Sequence, residues 1–292
     1  MYVVTGVTGR TGAATAQALI EAGERVRVVV RDAAKGESWA RKGAEVAVAD
    51  LADVPALSDA LSGANGAYLL VPPYYAEAAP IARGQALAGA IAEAVTVARL
   101  PKLAALSSIG ADLPEGTGLI LVNRAIEQHL AATGTAATFL RAAYFMENWA
   151  GVAGVAAAQG VLPSFLAPLD RAIPMVATAD IGHAAAEALR EDWTGIRTIG
   201  LEGPAGYSPN DVAAAFARAL GRPVQAVAVP EADWPAALSQ AGLSPDAVDG
   251  FVELNRAVNS GHVDFAADPA AGHRRGRTPI DTVVAALVKT VA

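Results

Sequence analysis

The sequence contains no cysteine, which excludes disulfides, thiolate nucleophiles and thiolate-bound zinc or iron–sulfur centres. Histidine is scarce, and His129, His183, His262 and His273 show no i, i+3 or i, i+4 pairing, so the sequence offers no metal site. Charged residues are sparse at 17% of the chain, and 22 Lys and Arg against 29 Asp and Glu leave a net charge of −7. A nucleic-acid binder needs a concentrated basic face to displace counterions, so nucleic acid is excluded as a partner. Strongly apolar runs are also missing. The uncharged stretch Trp149–Leu169 is long enough to span a bilayer, but it is rich in Ala and Gly, carries Gln159 and is broken by Pro163 and Pro168. Ala and Gly contribute little to insertion, so a helix of small residues followed by a loop is expected, with no membrane partner. Met1–Gly6 has neither the basic nor the long apolar region of a secretion signal. The expectation is a soluble, cytoplasmic protein.

What is present is apolar and regular. Hydrophobic residues make up 53% of the 292 residues, about a quarter of the chain being alanine, enough for one sizeable core. Short β-branched runs predict strands at Tyr2–Thr5, Arg25–Val30, Glu45–Ala49, Ala67–Val71, Leu103–Leu106 and Ala137–Arg141. Helical patterns lie between them, up to Ala22 and over Pro55–Leu61, Glu77–Arg99 and Leu119–Ala132. Such alternation gives parallel pairing through crossovers, hence an α/β fold with a doubly wound parallel Rossmann sheet. Residues 1–150 are expected to form the dinucleotide-binding part. Residues 151–292 are expected to form a smaller C-terminal α/β substrate lobe packed on the first, with helices after Asp180, over Pro209–Leu220 and Pro245–Ser260, and from Pro279. Strands are expected near Ile196–Leu201 and Gln225–Val229.

Ligands of such sheets bind beyond the carboxyl ends of the strands. Gly6-Val7-Thr8-Gly9-Arg10-Thr11-Gly12 directly follows the first strand and opens a helix. Glycines there let the backbone approach a pyrophosphate held against a helix N-terminus. The second strand ends in Arg31-Asp32, where an Arg suits a ribose 2′-phosphate and an acidic residue a free 2′-hydroxyl. Arg31, joined by Arg10, favours NADP(H) over NAD(H). The alternative is two solvated arginines with Asp32 as the ribose ligand. Asp50 and Leu51 follow the third strand, at the adenine position or as an ordinary helix-capping loop. Val71-Pro72-Pro73 ends the fourth strand beside the cofactor, Ser107-Ser108 ends the fifth over the expected nicotinamide position, and Ala143-Tyr144-Phe145-Met146-Glu147-Asn148 follows the sixth, facing the nicotinamide. Tyr144, Phe145 and Asn148 are the candidates for the acceptor pocket. Arg141 reads as the structural partner of a buried carboxylate or carbonyl.

Gly6–Gly12, Val30-Arg31-Asp32, Asp50-Leu51, Asn123-Arg-Ala-Ile-Glu127 and Leu140-Arg-Ala-Ala-Tyr-Phe-Met-Glu-Asn148 resemble the NmrA-like branch of the atypical short-chain dehydrogenases/reductases. Ala179-Asp-Ile-Gly-His183, Leu201-Glu-Gly-Pro204 and Leu220-Gly-Arg-Pro-Val224 extend the resemblance over nearly the whole chain. Within the group the chain looks most like the type-2 NAD(P)H:quinone oxidoreductases and the triphenylmethane reductases. The resemblance implies NADP(H) as cofactor. Where relatives often carry Lys near the nicotinamide ribose this chain has Arg124, which can hold hydroxyls but stays charged and donates no proton at neutral pH. The alternative for Arg124 is a surface pair with Glu127.

None of Tyr2, Tyr68, Tyr74, Tyr75, Tyr144 or Tyr207 is followed four residues later by Lys, so the phenol acid of ordinary short-chain dehydrogenases is absent. Alkoxide chemistry needs a positioned proton donor, whereas a quinone or cationic dye delocalises or neutralises the added charge. The expectation is therefore an NADPH-dependent oxidoreductase passing hydride to a small conjugated acceptor such as a quinone. The alternative is a redox-sensing regulator that binds the dinucleotide without turnover. A second copy of the chain or a regulatory protein is left open as a partner.

Overall fold

The computed structural model describes residues 1–265 and 272–291. The first six strands are β1 (Tyr2–Val4), β2 (Val26–Val30), β3 (Glu45–Val48), β4 (Gly66–Leu69), β5 (Lys102–Ser108) and β6 (Ala136–Ala142). They are followed by β7 (Tyr144–Phe145), β8 (Val161–Ser164), β9 (Ile173–Val176), β10 (Ile196–Glu202), β11 (Gly206–Tyr207), β12 (Gln225–Ala228) and β13 (Gly272–Arg275). The helices of the first half are α1 (Arg10–Glu21), α2 (Glu37–Ala40), α3 (Val54–Leu61), α4 (Pro80–Val97) and α5 (Leu121–Ala131). Those of the second half are α6 (Ala150–Gln159), α7 (Thr178–Arg190), α8 (Pro209–Leu220), α9 (Trp234–Gln240), α10 (Pro245–Ser260) and α11 (Ile280–Val288). Among the described residues no helix is long and apolar enough to cross a membrane.

Eight strands form one sheet in the order β13-β10-β6-β5-β4-β1-β2-β3, every neighbouring pair parallel. The doubly wound sheet is thus present. Its strands are apolar because both faces are covered. Alternation along each strand divides the core in two. Val3, Val29, Leu69 and Leu103 face α3, α4 and α5, while Val4, Val28, Tyr68 and Ala104 face α1 and α7. On that second face Gly182 of α7 meets α1 so closely that a Cβ there would stand 2.3 Å from the Ala14 Cβ and 2.6 Å from the Thr15 amide nitrogen.

Two sheet strands, β10 and β13, and the helix α7 come from beyond residue 150. The rest of the second half surrounds a further core of Met146, Trp149, Leu162, Met175, Phe216 and Val284, among others. Its strands are short: β11-β9-β7 in one small sheet and β12-β8 in another. Where the sequence predicts a loop after the small-residue helix, Gly160 turns the chain at φ +70° and Val161–Ser164 pairs in parallel with Gln225–Ala228. The small-residue run hides this strand because only Leu162 and Ser164 of its four residues are buried. Helix α4 begins at Pro80 and α5 at Leu121, each later than predicted, the latter after a 3-10 turn over Gly118–Ile120.

Candidate cofactor and acceptor site

Strand order reverses at β1, which pairs with β2 on one side and β4 on the other. A crevice therefore opens beyond the carboxyl ends of β1 and β4, and the Gly6–Gly12 loop lies there. Gly6 turns the chain at φ +67°, and a Cβ on Gly12 would stand 2.4 Å from the Gly6 carbonyl oxygen, so helix α1 can start close against the strand only with glycine at that position. No side chain caps α1 and no acidic residue stands in its first turn. Its first amides and the positive end of its dipole thus face outward beside the exposed Thr8, Gly9 and Arg10, with Thr11 buried beneath. The cradle fits a phosphate group. At Gly9 (φ −100°) an added Cβ would meet only the Gly6 carbonyl oxygen at 3.4 Å, so the space above it is open.

On the β2–β3 side, Arg31 is exposed and makes no hydrogen bond or ion pair among the described residues. Asp32 is engaged locally: its Oδ1 accepts from the Ala34 amide at 3.0 Å and caps the turn Ala33–Gly36. That turn carries a second exposed cation, Lys35, which sequence reasoning missed although it lies only four residues past Arg31. Arg10 does not join Arg31. Its Nη1 donates to the Glu147 carbonyl oxygen at 3.1 Å, across the crevice toward the segment after β6, so the pairing of the two arginines on one phosphate is not the arrangement found. Asp50 Oδ1 accepts from the Ala52 amide at 2.9 Å, while Asp53 supplies the cap of α3. Leu51 packs partly buried against the core.

On the β4–β6 side, Val71, Pro72 and Pro73 lead into a loop tied to α10. The Ser244 amide donates to the Tyr75 carbonyl and the Ala79 amide to Asp246 Oδ2, both at 2.8 Å, and the Tyr75 and Phe251 rings meet edge-on at 4.9 Å. Ser107 does not face the crevice as expected. It is 2% exposed and its hydroxyl donates to Glu127 Oε1. Glu127 is itself buried and accepts two bonds from Arg141, 2.9 Å from Nε and 2.8 Å from Nη2, while Arg141 Nη1 reaches Asp112 at 3.1 Å. Arg141 is therefore the partner of a buried carboxylate, as read from the sequence. The Arg124–Glu127 surface pair does not form. Arg124 Nη1 donates instead to the carbonyls of Ala111 and Asp112, holding the loop after β5.

The segment after β6 forms the opposite wall. Ala143 is buried and its amide donates to the Leu201 carbonyl at 2.9 Å. Tyr144 and Phe145 pair with Met175 and Val176, and strand alternation sends them to different neighbours. Tyr144 packs on the second-half core, its ring 6.2 Å from that of Trp149, while Phe145 packs against Ala142, Val176 and Leu201. They do not form one flat aromatic surface. Burial pushes the Tyr144 phenol up to about 12, with the Asn148 amide pulling slightly the other way. Asn148 is exposed. The sequence reading passed over Glu147, whose carboxylate accepts from the Thr178 amide at 3.0 and 3.1 Å and from the Thr178 hydroxyl at 2.6 Å.

Known proteins share this architecture and about a quarter of the aligned residues. The chain is 28% identical over 258 residues to an NAD(P)H azoreductase of Xenophilus azovorans, covering 87% of this chain and 86% of that protein. It is 27% identical over 263 residues to quinone oxidoreductase 2 of Escherichia coli (strain K12), covering 89% of each. Among solved structures, an NADPH-dependent quinone oxidoreductase from E. coli complexed with NADPH superposes with a TM-score of 0.81 at 26% identity, over 98% of this chain and 99% of the other. The fold is also that of a Citrobacter sp. triphenylmethane reductase complexed with NADP(H), with a TM-score of 0.81 at 20% identity over 100% of both chains. The model of the NmrA-like family matches residues 2–243, and the chain belongs to that family.

Proposed function

We propose that this protein passes hydride from NADPH to a quinone or a related conjugated acceptor, with no side chain of the protein acting as proton donor. The chain is an NAD(P)H-dependent oxidoreductase, in line with its azoreductase and quinone-oxidoreductase relatives. The uncapped N-terminus of α1 above Gly9 would hold the pyrophosphate, and Arg31, with Lys35 beside it, a 2′-phosphate. When bound, the dinucleotide supplies the hydride. The chain itself positions the acceptor against the wall from Ala143 to Asn148 and keeps the loops after β4 and β5 in place through α10 and Arg124.

The observation that carries the acceptor class is the state of Tyr144. It is the phenol at the carboxyl edge next to the expected acceptor position, its pKa stands at about 12, and no cation is among the groups that shift it. A phenol so placed is a poor acid near neutrality. Acceptors whose reduced forms delocalise the added charge and take their proton from water suit such a site, with orientation supplying the rate. The test is NADPH oxidation followed at 340 nm with quinones, triphenylmethane dyes, azo compounds, and simple aldehydes and ketones. Turnover of the conjugated acceptors alone is expected. Turnover of simple carbonyls would overturn the acid-free reading. Tight NADPH binding with no acceptor reduced would leave the cofactor site standing and favour a dinucleotide-sensing role with a protein partner.

A further inference from the structure

We propose that Glu147 is a positioning residue that joins the cofactor loop to the acceptor wall and so fixes where an acceptor sits relative to the dinucleotide; this rests on the cofactor and acceptor reading above. Glu147 is engaged at both ends. Its backbone carbonyl accepts from Arg10 Nη1 at 3.1 Å, in the loop proposed to hold the pyrophosphate. Its carboxylate covers the N-terminus of α7 through the Thr178 amide and hydroxyl. The residue at the N-cap of α7, Ala177, has no side chain able to do this, so the cap comes from thirty-one residues earlier in the chain. A carboxylate suits the place because it satisfies an orphan amide and meets the positive end of the helix dipole.

The consequence is a closed circuit of contacts. The glycine loop opens α1; α1 packs on α7 at Gly182 with no room for a methyl group; α7 is held at its first turn by Glu147; and Glu147 returns to the glycine loop through Arg10. At the same end of α7, buried Asp180 accepts from the Thr278 amide and hydroxyl, each at 2.9 Å, so the last connection of the chain is tied there too. The segment carrying Tyr144 and Asn148 is also anchored by a two-residue strand and by the buried Met146 and Trp149, which pack into the second-half core. Without the Glu147 carboxylate, that segment keeps its fold and the Arg10 contact to its backbone but loses its hydrogen bonds to the first turn of α7, so the circuit that fixes its place against the start of α1 is opened. An acceptor misplaced by about 1 Å loses on the order of a hundredfold in rate.

The experiment compares wild type, Glu147→Ala, Glu147→Gln and Thr178→Val, with NADPH as cofactor and 1,4-benzoquinone as acceptor. Glu147→Ala is expected to lower kcat/KM for the quinone about tenfold to a hundredfold while the Kd for NADPH stays within about twofold. Glu147→Gln, which still offers an accepting oxygen, should recover most of the loss, and Thr178→Val should fall between. Hydrogen–deuterium exchange gives a readout that needs no turnover. In wild type, NADPH should slow exchange in residues 6–12 and also in 144–149 and 178–184, and the last two effects should vanish in Glu147→Ala. Protection confined to 6–12 in wild type would overturn the proposal and leave the cofactor reading intact. Absence of protection at 6–12 would overturn both. A Glu147→Ala variant that loses NADPH affinity and unfolding temperature in parallel, with Glu147→Gln no better, would reduce Glu147 to a fold-stabilising cap and overturn it as well.

Discussion

Arg31 is an exposed guanidinium with no protein partner among the described residues, at the strand end where a dinucleotide ribose would lie. A charge-assisted hydrogen bond to a 2′-phosphate is available to NADPH and not to NADH, so wild type is expected to bind NADPH more tightly. Arg31→Ala should reduce that preference by about tenfold. Titration of both cofactors into both proteins measures it, and an unchanged ratio would remove Arg31 from the site. Tyr144 gives a second expectation at this scale. With a phenol at about 12, Tyr144→Phe should cost less than about threefold in single-turnover NADPH oxidation, and the rate should show no ionisation of this group between about pH 6 and 9. Tyr144→Ala, which opens the wall beside Trp149, should cost more than the loss of the hydroxyl alone. A severe loss in Tyr144→Phe would expose an acid role. Individual side chains were only partly legible in the sequence. Arg31 and Asp32 could be placed by counting from a strand end, but which of them stayed free depended on a turn of four residues, Ala33–Gly36. Ser107 could be assigned to the sheet edge, yet its hydroxyl turns inward because Glu127 and Arg141 bring a buried ion pair beneath it. Pairs so distant in sequence leave no local pattern.

Helix α1 meets glycines for two different reasons, and substitution separates them. Gly9 has an ordinary φ of −100° and open space above it, so Gly9→Val should fold with a native circular dichroism spectrum and lose NADPH binding, because the branched side chain occupies the phosphate cradle. Gly182, where a Cβ would strike the backbone of α1, should behave in the opposite way. Gly182→Val forces two helices apart and should cost about 1–3 kcal/mol or more of stability, read as a lowered unfolding midpoint. Retained NADPH affinity in Gly9→Val would displace the pyrophosphate from this loop. Elements of this length were the most readable part of the chain. β1, β2, α1, α3 to α5, α7 and α8 leave strong periodicity or punctuation, such as Ser208 and Pro209 at the start of α8. The two-residue strands β7 and β11 and the four-residue helix α2 do not, since a piece that short is set by its neighbours and carries too few residues to show a period.

Over the molecule as a whole, burial acts on the tyrosines in one direction. It pushes the phenols of Tyr2, Tyr68, Tyr75 and Tyr144 upward, against about 10 in an unfolded chain. Below about pH 9 these groups are neutral in both states and contribute no pH dependence. Above about pH 10 the unfolded chain releases these protons first, so folding stability falls as pH rises toward the folded-state values. Thermal unfolding should therefore be level with respect to these groups from about pH 7 to 9 and decline beyond about pH 10. Tyr68→Phe combined with Tyr144→Phe should soften the decline, and an identical alkaline profile in that double variant would refute the assignment.

The order of the main sheet also bears on how the protein is made. A ribosome releases β1 to β6 first, and these can pair among themselves, but the outer side of β6 has no neighbour until β10 arrives and β10 has none until β13. Strand β6 is buried along almost its whole length in the finished protein. During synthesis it is an apolar edge with unpaired amides and carbonyls, the kind of surface on which nascent chains stick to one another. Translation that stalls between residues 142 and 196 would leave that edge bare, and the exposure ends only once Ile196–Glu202 has emerged and docked.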